Sequence, residues 1–177
     1  LPLFDDKDVG LVYGNYSVIN EKSKKIKTMY KNNLPVGWVL DELLKQYPVG
    51  LLTIMVRREA FKSLNKQFDK RFHIIGDFDF VLRISAYCKF ECIQEIIANY
   101  RQHSDNESLK HREMFIKESL IWYSEMKFHP DFIDRKEVHK KFNLYLYHDA
   151  ILDKVKGGSI IRAVSILKIL PMSSLWL

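Results

Sequence analysis

"DFDFVLRISAYC" (residues 77–88) places Phe80, Val81, Ile84 and Tyr87 on one helical stripe, with Asp77 at the expected N-cap. "FECIQEIIANYRQH" (90–103) follows it directly and reads as a strand running out into a loop. A helix handing over to a strand sets the fold class, because it needs an earlier strand to complete a layered α/β unit. "VGLVYGNYSVI" (9–19) supplies that strand, and the polar turn "NEKSKK" with "IKTMY" (26–30) makes it one arm of a hairpin. Between them, "LPVGWVLDELLKQYP" (34–48) sets Val36, Val39, Leu40, Leu43 and Leu44 at helical spacing and is stopped by Pro48. "VGLLTIMVRR" (49–58) is an apolar run of strand length, and "EAFKSL" (59–64) begins a short helix. A continuous apolar strand predicts a sheet covered on both faces. Strand, helix and strand thus alternate to about Ala98, the pattern of an α/β layered domain.

From Ser108 the texture changes. "SLKHREMFIKESLIWYSEMKF", "RKEVHKKFNLYLYHDAILDKVK" and "GSIIRAVSILKIL" are three helical patterns separated by "HPDFID" and "GG", with no strand candidate between them. The expected organisation is an α/β body over residues 1–108 and an α-helical C-terminal region over 109–177. The last stretch, "IIRAVSILKILPMSSLWL" (160–177), fits ordinary core packing against the other helices, with peripheral contact at a membrane surface as its alternative.

Composition removes several classes. The 177 residues, 47% hydrophobic and 28% charged, are those of a folded globular chain, and no run approaches the roughly 18 apolar residues of a membrane span. Cys88 and Cys92 flank "KFE"; that spacing is not CxxC, no second pair completes a zinc site, and two reduced, buried thiols in the cytoplasm is the reading. A net charge of +6 favours anionic partners, but the lysines are scattered and their densest run, "EKSKKIKTMYK" (21–31), reads as a solvated hairpin, so no nucleic-acid partner is expected. The chain starts at Leu1 with no signal peptide after it, the expectation for an excised fragment.

Helical geometry separates the two aspartates. Positions i and i+2 point about 200° apart, so Asp77 and Asp79 cannot share one cleft if both are helical. Asp79 precedes Arg83 by four residues, the favourable order for an ion pair along a helix face. Asp77 follows the permissive Gly76 and sits where a helix N-terminus favours negative charge, which leaves it the freer group. The other Asp-x-Asp, Asp6-Lys7-Asp8, looks like the turn that enters the first strand.

"LVYGNYSVI", "LLTIMVRREAF", "IGDFDFVLRIS" and "IANYRQHSDNES" occur in that order, and the succession, over roughly residues 9–108, resembles the second half of family 2 glycosyltransferases of the GT-A fold. The resemblance implies part of a GT-A-type mixed sheet flanked by helices. "GDFDFVLR" looks like the family's acidic motif ahead of a helix, with Gly76 where many relatives have Glu, and "YRQHSDNES" looks like its Tyr-Arg-x-His loop.

It further implies an inverting transfer of sugar from a nucleotide-sugar donor to a hydroxyl of a glycan or lipid-linked acceptor, as in bacterial cell-surface polysaccharide biosynthesis at the inner face of the membrane. By that resemblance Asp77 is the catalytic base, Asp79, Arg83 and Arg101 support the site, and His103 lies near the divalent cation, Mn²⁺ or Mg²⁺. The family's nucleotide-binding half and its metal-binding Asp-x-Asp belong upstream of "LVYGNY", so the 177 residues alone are expected to be inactive. A non-catalytic carbohydrate-binding or assembly module on the same scaffold, and a basic membrane-surface protein, are the alternatives.

Overall fold

The computed structural model describes residues 2–135. The chain divides into two compact units, residues 1–110 and 111–177. In the first, mixed α/β, unit, strand β1 (Val9–Ile19) is the axis: ten of its eleven residues are buried and Tyr16 is half-buried. Strand β2 (Lys25–Thr28) pairs antiparallel with its C-terminal end, Ser17 opposite Thr28. Asn20 builds the turn between them, its Oδ1 accepting the backbone N–H groups of Lys22 and Lys24 at 3.0 and 2.9 Å, and Ser23 adopts φ 61°.

Strand β3 (Met55–Val56) pairs antiparallel with β1 at Leu11 and Val12. Strand β4 (Lys89–Arg101) runs parallel to β1 from Val9 to Ile19, its register slipping between Gly14 and Tyr16, where β4 bulges. The result is a four-stranded mixed sheet. Helix α3 (Gly76–Ser85) supplies the crossover that a parallel neighbour requires, after the short helices α1 (Leu40–Lys45) and α2 (Arg58–Ser63).

The core lies where α3 meets the sheet: Leu11, Tyr13, Phe80, Val81, Leu82, Ile84 and Phe90 are all 1% exposed or less. Each such side chain contributes roughly 1.5–3 kcal/mol of burial. Gly10 lets the end of α3 approach β1, since a Cβ there would stand 2.3 Å from Cys88 Sγ and 2.9 Å from Ala60 Cβ. Helix α4 (Glu107–Lys110) closes the unit. In the second unit, α5 (Arg112–Met126) buries Ile116, Trp122 and Met126, and Trp122 meets Phe132 edge-on at 5.8 Å.

Four expectations change. The helix of 34–48 begins only at Leu40, because Gly37, at φ 87°, turns the chain and exchanges two 2.8 Å backbone hydrogen bonds with Phe90, leaving Val36 exposed. The strand of 49–58 shrinks to Met55–Val56, because Leu51–Thr53 form a 3₁₀ turn whose Thr53 donates to the Gly50 carbonyl through both N–H and Oγ1. Asp77 is not the N-cap: Ile75 holds that position, and Asp77 lies inside the first turn. Tyr87 falls beyond the helix and is 56% exposed, so it leaves the buried stripe. The helical patterns beyond Arg135, with the apolar stretch 160–177, lie outside the described residues.

Candidate functional site

Two carboxylates two residues apart meet opposite environments on α3. Asp79 is buried, and Arg83 grips it through Nη2–Oδ2 at 2.7 Å and Nε to both oxygens at 3.0 and 3.1 Å. The same guanidinium donates to the carbonyls of Lys66 and Gln67, the latter at 2.7 Å, and so ties the helix to the loop before it. The i to i+4 spacing makes this pair, and burial keeps water from competing with it.

Asp77 is half-buried. Its Oδ1 accepts the Phe78 N–H at 2.8 Å, which fixes the carboxylate against the helix start. Burial holds its pKa above the usual carboxylate range, outweighing the backbone N–H groups of Phe78 and Asp77 that pull the other way. Among the described residues it has no ion pair.

The charge of Asp77 reaches two tyrosines. Burial raises the phenol pKa values of Tyr16 and Tyr47, and the negative charge of Asp77 adds to the rise at both. Tyr16, in β1, meets Tyr30 edge-on at 6.5 Å and Tyr100 of β4 at 6.4 Å. Gly50 makes room for it: a Cβ there would lie 2.5 Å from Tyr16 Cε1. Tyr30 is anchored twice, its carbonyl accepting from Asn15 Nδ2 at 2.8 Å and its hydroxyl donating to the Tyr47 carbonyl at 2.6 Å. The Tyr47 ring stands edge-on to Phe78 at 5.0 Å, and its hydroxyl is buried with no hydrogen-bond partner among the described residues.

Tyr16 and Tyr100 line an open cavity of about 200 Å³ with Val18, Lys27, Gln102 and Asn106. Flat aromatic walls with a few amide groups suit a polyhydroxylated ligand, whose C–H faces pack on rings while its hydroxyls take hydrogen bonds.

The remaining sequence-selected residues serve the loops. Arg101 fastens the β1–β2 turn, its Nη1 donating to the carbonyls of Asn20 and Glu21 at 3.0 Å each and to Ser23 Oγ at 3.1 Å. His103 accepts the Asp105 N–H on Nδ1 at 3.2 Å and has Asn106 Nδ2 3.3 Å from Nε2. Asn106 also donates to the Arg101 carbonyl at 3.3 Å, so this loop is joined to the groove through Asn106. The structure brings Asp79 to Arg83 and Asp77 to the tyrosines; no hydrogen bond or ion pair among the described residues joins Arg101 or His103 to Asp77.

Among the described residues no group of three His, Cys, Asp or Glu side chains is placed to hold a metal ion. Lys89 bridges Asp6 and Asp8 at 3.1 Å each, and Arg83 engages Asp79, which takes up both carboxylates of the first Asp-x-Asp match and one of the second. The described residues therefore do not fit a divalent-cation site by themselves. Both cysteines are free: Cys88 is buried, its thiol pushed up to about 11 by burial, while Cys92 is only half-buried, a correction to the expectation of two buried thiols. No helix among the described residues is long and apolar enough to cross a membrane.

Tyr16, Tyr30, Tyr47 and Tyr100 were not selected by sequence as site residues. Two stand in strands and two in the segments on either side of α1, with no shared spacing: the pairing of β1 with β4 brings Tyr16 to Tyr100, and the Tyr16–Tyr30 ring contact and the Tyr30–Tyr47 hydrogen bond add the other two. No protein-family model matches the chain, and no curated protein matches it.

Proposed function

We propose that residues 1–108 are the acceptor-side half of an inverting family 2 glycosyltransferase of the GT-A fold, with Asp77 as general base. The observation that carries this reading is the state of Asp77: a carboxylate without an ion pair, raised in pKa by burial, whose charge reaches two tyrosines, one of them lining a groove of sugar-binding character. A raised pKa brings its proton affinity closer to working pH, which is what a base acting on a hydroxyl needs.

In the reaction the Asp77 carboxylate takes the proton of an acceptor hydroxyl as that oxygen bonds to the anomeric carbon of the donor. The bond from that carbon to the nucleoside diphosphate breaks on the opposite side, its electron pair leaving with the phosphate oxygen, and configuration inverts. Tyr16 and Tyr100 hold the acceptor ring. The Arg83 clamp keeps α3, and with it Asp77, in register. A nucleotide-sugar donor, a glycan or lipid-linked acceptor and a cytoplasmic site at the membrane's inner face belong to this reading. Mn²⁺ or Mg²⁺ would neutralise the departing diphosphate, with His103 near it and further ligands from outside the described residues.

The test is sugar transfer by the intact enzyme over a panel of nucleotide sugars. Asp77→Asn is expected to lower kcat by about 10²- to 10⁴-fold while donor binding stays close to that of the parent. An Asn variant that keeps a tenth of the parent's turnover overturns the base assignment. One observation favours a second reading, a non-catalytic carbohydrate-binding module: Asp77 is not among the residues lining the groove. Glycan binding indifferent to Asp77→Asn, with no transfer by the parent, would support it.

A further inference from the structure

A second, larger cavity of about 400 Å³ opens between the segment Met29–Pro35 and α1. It shares Met29 with the tyrosine groove, and the Tyr16–Tyr30 pair has one ring on the wall of each cavity. The larger one falls within the roughly 300–1,000 Å³ typical of small-ligand sites, whereas the groove at about 200 Å³ falls short of it. A ligand that fills only the groove is therefore small, and one that continues past Tyr30 has room for more.

The walls of the larger cavity are polar in a particular way. Lys31, Lys45, Asn32, Asn33 and Gln46 surround it, with Tyr30 as a flat face and Glu42 as the one carboxylate among the described lining residues. The side chains of Asn32, Asn33 and Gln46 make no hydrogen bond to another described residue. Lys31, Lys45 and Lys27 of the groove have no ion pair among the described residues, unlike Lys66, Lys89 and Lys110. Three cations against one anion over two cavities that share Met29 favour a negatively charged ligand, and the amides suit its hydroxyls.

We infer that the acceptor is an anionic oligosaccharide that spans both cavities, its reacting end in the tyrosine groove and an acidic residue of the chain between Lys31 and Lys45. The inference rests on the glycosyltransferase reading for which end reacts, and adds the acceptor's length and charge. The acid is a sugar carboxylate or a sugar phosphate, two sources of one chemistry: an anion flanked by hydroxyls.

Calorimetric titration of the full chain with tetragalacturonate, a phosphate-bearing pentamannose and neutral maltotetraose tests it. Both or one of the anionic probes should bind at least about tenfold tighter than maltotetraose at low salt, the stronger identifying carboxylate or phosphate. The double variant Lys31→Gln/Lys45→Gln should remove about tenfold of that affinity, as should high salt, with maltotetraose unaffected by either. Equal affinity for neutral and anionic probes, no binding of any probe, or an unaltered double variant overturns the inference.

Its failure is separable from failure of the catalytic reading. Transfer that requires Asp77 but proceeds only to neutral acceptors sinks the anionic acceptor alone. Lysine-dependent binding of an acidic glycan together with an active Asp77→Asn enzyme sinks the base alone.

Discussion

Replacing Arg83 with Met should be among the most damaging single changes in the first unit. The carboxylate of Asp79 is 4% exposed and the Arg83 side chain 17%, so the charges are screened by little water. Three N–H to oxygen contacts of 2.7–3.1 Å hold them, and the guanidinium also satisfies the Lys66 and Gln67 carbonyls. Methionine keeps much of the stem's volume and removes the charge, leaving a buried carboxylate without its guanidinium. Breaking a buried pair from one side costs about 3–5 kcal/mol, against a total stability on the order of 5–15 kcal/mol.

Asp79→Asn should cost less, about 1–2 kcal/mol, because the guanidinium keeps both carbonyls and a neutral acceptor. The double change Asp79→Leu/Arg83→Met removes both charges together and should fall within about 2 kcal/mol of the parent, well short of the sum of the single losses. Urea unfolding followed by far-ultraviolet circular dichroism measures all three, and hydrogen exchange of the α3 amides places the loss in that helix. An Arg83→Met cost below about 1 kcal/mol, or a double variant as unstable as the sum of the singles, would refute the account of the pair.

Two further changes act in the stabilising direction. Tyr47→Phe removes a buried hydroxyl that has no partner among the described residues, and should leave stability unchanged or raise it by about 1 kcal/mol in the same urea experiment; a clear loss would mean that the hydroxyl has a bonded partner. Asp77→Asn should be more stable than the parent at neutral pH. The folded-state pKa of Asp77 is raised, so its ionisation destabilises the fold as pH rises through that value, and the advantage of Asn should vanish below the ordinary carboxylate range. Unfolding curves from pH 3 to 8 that show a pH-independent difference between the two proteins would contradict this.

What could be read from sequence was what local pattern decides. β1 and β4 announce themselves by β-branched and aromatic residues, α3 by its stripe, and the Asp79–Arg83 pair by a spacing of four. The failures share a distant cause. Val36 fits the helical stripe of 34–48, yet Gly37 bonds to Phe90, fifty-three residues away, and this bridge pulls the segment out of the helix. The run 49–58 has the composition of a strand, but Gly50 sits beneath Tyr16 and the chain coils tightly after it. Asp77 was legible as a special residue, whereas Tyr47 and Tyr16 were not, because their relation to it exists only after β1, α1 and α3 have packed.

The placement of charge ties the catalytic and acceptor readings together. A lysine near Asp77 would favour its ionised form and lower its pKa, making it a weaker base. The causes acting on Asp77 are burial and two backbone N–H groups, and no lysine is among them, although Lys27 lines the groove with Tyr16 and Lys31 and Lys45 line the larger cavity with Tyr30. On the anionic-acceptor reading the acidic residue of the acceptor lies between Lys31 and Lys45 in the larger cavity, so its charge is held without a lysine acting on the base. Introducing a lysine beside Asp77, at Phe78 for example, should therefore depress the pH at which turnover rises, while a lysine added beside Lys31 should leave that pH unmoved and strengthen only the binding of the charged acceptor.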